Sequence, residues 1–340
     1  MFIRVSGAEF SKKLLGAIRS KKETVNFHLV GRTLYLQTLG LVSHNIRLNV
    51  LETDMTELDA SFVFDKVVSL INTKEDVILY LMGDILRAYQ TNFEFSAVRS
   101  YEERMQNEAF SVDIKQSYSK VVLEEVVNDA KQMDGLARTL GVGYASLTFY
   151  NGYAYIKYSN MMMRWKVDFC NMSISIEALR WLIQKTGDTH RYLLDEESGT
   201  LYVYVSEDEV LTTKVNTCNM STVEVFNKLD NEGKEVIIQV LSSKYNSEIE
   251  MISKLYEKSL IDVSFCSNAE IKVYIDNMNT RFEYGSRANI VKSIRISTIQ
   301  LFTMLKTLGD GQTSVEIGEN KLWLRQIARG KDLIVAGMIF

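Results

Sequence analysis

Three cysteines and three histidines are the residues of this chain best suited to nucleophilic or metal chemistry: Cys170, Cys218, Cys266, His28, His44 and His190. A catalytic thiol needs a base within hydrogen-bond reach, and no Cys or Ser is tied to a His by any recognisable pattern. A zinc site needs closely spaced ligand pairs, and there is no CxxC and no HExxH. GxSxG, GxxxxGK[ST] and GxGxxG are absent too, so the common hydrolase, nucleotide-triphosphatase and dinucleotide signatures are missing. Acidic runs at Glu102-Glu103, Glu124-Glu125 and Glu207-Asp208-Glu209 could supply acid–base chemistry. Adjacent helix positions do not face each other, and such runs on strands and loops are usually solvated. No catalytic residue, metal or cofactor is expected.

Three widely spaced cysteines also argue against a disulfide framework. The chain has 340 residues, 46% hydrophobic and 24% charged, which is the composition of a core-forming protein of two or three domains. No apolar run approaches the roughly 18 residues of a membrane span. The opening MFIRVSGAEFSKK has no apolar stretch of signal-peptide length. A cytoplasmic or nucleoid-associated protein with no membrane partner is expected. Proline is absent, so helix ends and turns must be made with Gly, Asn, Asp and Ser.

The elements that must position any site repeat in thirds. The first third reads as a strand (2–5), a helix (8–22), strands at 24–30, 32–38 and 43–50, a helix (64–74), and strands at 76–82, 85–91 and 93–99. Gly31 and Gly83-Asp84 mark hairpin turns. The second third has a strand (109–115), a helix (116–132) ended near Gly135, strands at 144–150, 153–159 and 163–169, a helix (175–186), and three further strands. Asn151-Gly152 is a type I′ hairpin signal. The last third has a strand (235–241), a helix (243–258), three strands with 293–297 leading into a helix (297–307), and three strands to the end. Residues 227–234 read as a polar linker. The expected fold is α+β, with three repeated units at 1–108, 109–226 and 227–340, each carrying two helices covered by antiparallel sheet.

This order resembles the bacterial sliding clamp, the β subunit of DNA polymerase III. The stretch 61–100 is similar to that family's second helix and three-strand return. SNMMMRWKV (159–167) stands where the family has Thr-Asp-Gly-His-Arg-Leu; Arg164 is kept, and Trp165 replaces the leucine. IVAGMIF (334–340) resembles the Val-Met-Pro-Met-Arg-Leu terminus: Met338 matches, Gly337 replaces the proline, and Ile339 and Phe340 replace Arg-Leu. The resemblance implies three domains per chain, helices lining a ring, and a head-to-tail homodimer around duplex DNA, with a DNA polymerase and a clamp loader as partners. It implies a partner-peptide pocket at Met163, Arg164 and Trp165 on one side and Val335, Met338, Ile339 and Phe340 on the other. The changed residues imply a different peptide preference, as in a phage or divergent replisome. The interface between copies is expected at 93–100 and a strand of the last unit.

Charge is a separate check. The net charge is −4, yet the six expected helices sum to +6 and leave −10 elsewhere. That is the sign a basic lining and acidic exterior require. The DNA-facing set is Lys12, Lys13, Arg19, Lys21, Lys22, Lys66, Lys74, Lys120, Lys131, Arg180, Lys185, Lys244, Lys254, Lys258 and Lys306. Its weight lies in the first helix. The alternative reading is a clamp-like binding module or replisome inhibitor that forms no ring.

Overall fold

A computed structural model describes residues 1–16, 24–64, 67, 76–82, 85–88, 91–94, 109–112, 116–139, 146–158, 161–185, 189–231, 235–241, 254, 260–265, 270–275, 278–283, 292–308, 312–328 and 331–340. The first elements are β1 (Phe2–Val5), α1 (Gly7–Leu15), β2 (Thr24–Val30), β3 (Thr33–Thr38), β4 (Ser43–Thr53), β5 (Glu57–Val63), β6 (Val77–Met82), β7 (Ile85–Ala88) and β8 (Thr91–Glu94). Next come β9 (Gln116–Ser119), α2 (Lys120–Thr139), β10 (Ser146–Tyr150), β11 (Tyr153–Tyr158), β12 (Met161–Lys166), β13 (Met172–Ser175), α3 (Ile176–Gln184), β14 (Thr189–Asp195), β15 (Thr200–Ser206) and β16 (Glu209–Lys214). The remainder are α4 (Met220–Asp230), β17 (Glu235–Leu241), β18 (Leu260–Phe265), β19 (Glu270–Ile275), β20 (Met278–Glu283), β21 (Lys292–Ser297), α5 (Thr298–Leu308), β22 (Gln312–Ile317), β23 (Lys321–Ala328) and β24 (Lys331–Met338).

Local chemistry explains several of these boundaries. Ser6 caps α1 by accepting a hydrogen bond from the Glu9 N–H, the spacing of a capping box. Asn151 and Gly152 both have positive φ, 48° and 75°, as a type I′ turn requires, and join β10 to β11. Gly31 turns β2 into β3 at φ 60°.

The described residues form two compact units, Met1–Val121 with Glu177–Val215, and Val122–Ile176 with Asn216–Phe340. The first holds one twelve-stranded sheet and the second an eight-stranded and a four-stranded sheet. One pairing pattern recurs. β2, β10 and β18 each lie between two neighbours, β3 and β5, β11 and β13, β19 and β21. β1, β9 and β17 each pair with the strand after the second helix position: β6, β14 and β22.

In the first unit, Phe10 and Leu14 of α1 are buried with Ile3, Phe27, Leu36, Ile46 and Phe62. Phe27 meets Phe10 and Phe62 edge-on, at 6.2 and 4.9 Å between ring centroids. The opposite face of that sheet carries a buried polar ladder: Ser61 donates to Asn26, Asn26 to Gln37, Gln37 to Asn45, and Asn45 to Thr212. It runs over five neighbouring strands, β5-β2-β3-β4-β16, so each buried amide finds its partner on the next strand.

Four expectations are corrected. In the first two units four strands, not three, precede the second helix, because β5 and β13 pair back onto β2 and β10; in the third, the strand expected at 293–297 is β21, paired with β18. Residues 116–119, expected to begin a helix, are strand β9, held by β14; residues 109–111 are a helical turn and not a strand. α2 continues through Gly135 to Thr139, since one helical glycine costs only about 1 kcal/mol. The expected linker begins as helix α4, because Val223 and Phe226 are buried against Tyr155, Met162, Trp323 and Ile334. Of the helix expected at 64–74 only positions 64 and 67 are described, and that at 243–258 lies outside the described residues except position 254.

Candidate functional site: two strand seams and the helix faces

The two segments expected to form a peptide pocket meet as adjacent strands. β12 runs antiparallel to β24, with Met161 opposite Gly337, Met163 opposite Val335 and Arg164 opposite Ile334. Alternation along the strands then divides the seven residues. Met163, Trp165 and Val335 are 0%, 2% and 1% exposed, so they pack beneath the surface. The Trp165 indole N–H donates to the Asp129 carboxylate of α2 at 3.0 Å. Burial pushes the Asp129 carboxyl up to about 6, against the opposing pull of that hydrogen bond. On the same face Gly337 lies under α5: a Cβ there would meet Gln300 Nε2 and Met304 Sδ at 2.6 Å.

Arg164 projects to the other face. Its guanidinium lies 4.8 Å from the Tyr153 ring centre and 5.0 Å from that of Phe226, a two-sided cation–π contact that fixes α4 over the seam. Beyond the seam, Met338 is 38% and Phe340 71% exposed. The tail is pinned by its main chain: Ile339 N–H donates to the Asn320 carbonyl and Phe340 N–H to the Arg295 carbonyl. Arg295 is itself held by both oxygens of Asp262, at 2.7 and 2.9 Å. Met338, Ile339 and Phe340 are thus the members of the expected pocket that an outside peptide can touch.

A second seam joins β4 to β16, Ile46 opposite Glu209 and Ser43 opposite Thr212. Ion pairs lock it. Lys13 Nζ lies 2.9 Å from Glu9 Oε1 and 3.2 Å from Asp208 Oδ2, and donates to the Arg47 carbonyl. Arg47 Nε meets Asp208 Oδ1 at 3.0 Å. Burial would raise the Asp208 carboxyl, but hydrogen bonds from Arg47 and Lys13 outweigh it and hold the group below its ordinary value. Buried His44 meets Glu209 at 3.3 Å and lowers the Glu209 carboxyl by that hydrogen bond.

These contacts redistribute the expected DNA-facing set. Lys13 is 12% exposed and committed to the seam. Lys185 is half-buried, and desolvation pulls its ammonium below the ordinary value, opposed by Glu209. Lys12 and Lys131 are exposed, as is position 254; Lys120 and Arg180 are half-buried, Arg180 against the Trp181 ring at 5.5 Å. Lys306 lies on α5. Arg19, Lys21, Lys22, Lys66, Lys74, Lys244 and Lys258 lie outside the described residues. The acidic triplet 207–209, a possible acid–base cluster by sequence, is a strap of Asp208 and Glu209 onto Lys13, Arg47 and His44. Sequence reasoning missed Tyr153, Phe226, Asp129 and Arg47, whose partners lie on strands or helices remote in the chain.

The whole architecture has close counterparts among solved structures. The β clamp of Helicobacter pylori in complex with 5-chloroisatin superposes with a TM-score of 0.68 at 12% identity, covering 100% of both chains. This is the fold of the bacterial β sliding clamps. The clamp fold recurs in the DNA polymerase III subunit beta of Pseudomonas aeruginosa, at TM-score 0.67 and 11% identity over 100% of both chains. It recurs again in the H. pylori β clamp bound to a DNA ligase peptide, at TM-score 0.64 and 13% identity over 100% of both chains. No family model matches the sequence, and no curated protein matches it. The likeness to the clamp fold is therefore carried by backbone geometry.

Proposed function

We propose that this chain is a processivity factor: a sliding clamp that closes as a head-to-tail homodimer around duplex DNA and tethers a DNA polymerase. It reads as three repeated units, 1–108, 109–226 and 227–340. The observation that carries this reading is the bookkeeping of strand edges. The strand that follows the central hairpin of one unit pairs with the last strand of the next: β4 with β16, and β12 with β24. By the same rule β20 of the third unit awaits a last strand, and β8 of the first awaits a partner. Both end their sheets among the described residues. One chain cannot supply the missing seam by the order of its units, but two chains, head to tail, supply it twice. Pairing would also remove an aggregation-prone edge. This refines the interface expected at 93–100, of which 95–100 lie outside the described residues.

The function needs no reacting group. Lysines and arginines on helix faces attract phosphates without reading bases, and a closed ring holds by topology. The H. pylori clamp that binds a DNA ligase peptide and the polymerase subunit of P. aeruginosa support a peptide-bearing DNA polymerase as a partner, and a clamp loader that opens the ring belongs to the proposal.

The test is covalent closure. Carrying the β12·β24 register over to β20 and β8 sets position 281 opposite position 94 of the other copy. The doubly substituted Glu94→Cys, Arg281→Cys protein should oxidise to a covalent dimer, and each single variant should not. Native mass of the unmodified chain should be twice 38.9 kDa. A monomer at micromolar concentration with no cross-link would overturn the ring and favour a clamp-like binding module.

A further inference from the structure

The β4·β16 seam contains a cavity of about 240 Å³, walled by Leu41, Ser43, Thr200, Thr212, Thr213 and Lys214. It occupies the same place along its seam, at the start of β4 and the end of β16, that Met161 and Gly337 occupy at the start of β12 and the end of β24. We propose that this cavity is a second peptide seat, taking one aliphatic side chain of an extended segment whose flanking residues are basic.

The walls set the first half of that specificity. The polar side chains of Thr200, Thr212, Thr213 and Lys214 already have partners. Thr213 Oγ1 donates to the Leu41 carbonyl at 2.7 Å, and Thr212 Oγ1 accepts from Asn45. Lys214 Nζ donates to the Ser198 carbonyl at 3.0 Å and to Thr200 Oγ1 at 2.8 Å. With those groups engaged, the lining left to a guest is mostly apolar, the half-exposed Leu41 side chain included. The volume falls short of the roughly 300–1,000 Å³ of small-molecule pockets and suits a single side chain.

The rim sets the second half. Ser198 links Thr200 to Asp195: its hydroxyl lies 2.9 Å from Thr200 Oγ1 and 2.6 Å from Asp195 Oδ2. Asp195 at the end of β14, and Glu196 and Glu197 in the turn that follows, therefore stand beside the cavity, the two glutamates exposed. Hydrogen bonds from the Ser198 hydroxyl and backbone keep Asp195 ionised below the ordinary carboxylate range. Three carboxylates against the single Lys214 ammonium attract a cationic flank and repel an acidic one. The correspondence between the two seams rests on the repeat reading above; the cavity and its charge do not.

The probe is the peptide acetyl-Arg-Leu-Lys-amide, titrated into the full chain labelled at Leu, Thr and Met methyl groups and followed by methyl NMR. Saturable shifts at Leu41 and Thr213 are expected at millimolar peptide. Acetyl-Arg-Ser-Lys-amide and acetyl-Glu-Leu-Glu-amide should each bind at least about tenfold more weakly. Ser43→Leu, which fills the cavity, should abolish the shifts. Glu196→Lys with Glu197→Lys, which leaves the cavity alone, should weaken binding by about tenfold. Shifts confined to Met338 would place the peptide at the other seam and overturn the proposal while leaving the clamp reading intact. No shift at either place, or equal binding of the acidic peptide, would overturn it as well. A monomeric protein that still binds at Leu41 would sink the ring and keep this seat.

Discussion

Asp129 shows what a single buried carboxyl does to the molecule. Its folded value of about 6 stands above its ordinary 3.8. Between those values the folded state holds a proton that the unfolded chain has released, so stability falls as pH rises from about 4 to about 6 and stays lower above. The shift corresponds to about 2–3 kcal/mol. Asp129→Asn keeps an acceptor for Trp165 and removes the charge. It should melt higher than the parent at pH 7.5, with about a third of that gain left at pH 4.5; equal melting at both would show that the carboxyl is not desolvated. Arg164 makes the opposite case. Arg164→Ala removes a cation held between two rings, and urea unfolding should show a loss of about 2 kcal/mol. Arg164→Lys should recover only part of it, because an ammonium cannot stack as a plane. Arg164 could be picked from the sequence by family resemblance, but Tyr153 and Phe226 could not. One is 11 residues away across a hairpin and the other 62 away, just before the stretch 227–234 that reads as a linker.

Elements were legible where local chemistry decides them. The Asn151-Gly152 turn is written in neighbouring residues and stands as expected; of the apolar face expected on the first helix at Phe10, Leu14, Leu15 and position 18, Phe10 and Leu14 are buried, Leu15 is 58% exposed, and position 18 lies outside the described residues. β5 and β13 were hidden because what makes them strands is a partner elsewhere: β13 is four residues long and exists by pairing with β10. β9 is hidden the same way, since its helix-compatible sequence is held extended by β14. The β12·β24 seam offers a direct check on element packing. Gly337 is needed because α5 closes on β24 there, so Gly337→Val must push Gln300 and Met304 aside. A melting temperature lowered by several degrees, equivalent to about 1–3 kcal/mol, is expected, with Gly337→Ala intermediate. An unchanged melt would mean that α5 does not rest on the strand.

At the scale of the whole molecule the function proposed makes a demand that contacts alone cannot meet. A ring loaded on nicked circular DNA should stay bound through a high-salt wash, because topology is indifferent to screening, whereas a protein holding by phosphate contacts would be released. Cutting the circle should release the ring within minutes. Release by salt alone from intact circles would favour the binding-module reading. The commitment of Lys13 to the β4·β16 seam sharpens this prediction: Lys13→Ala should lower stability more than it lowers DNA retention, and Lys12→Ala the reverse.

The seams also bear on descent. Their adhesive is the hydrogen-bonding of the main chain, which every amino acid except proline can offer. A lineage can therefore exchange nearly every side chain along such a joint and still inherit the joint. Selection would see each replacement only through what lies above and below the sheet. Likeness of form in this architecture can then persist where likeness of lettering does not.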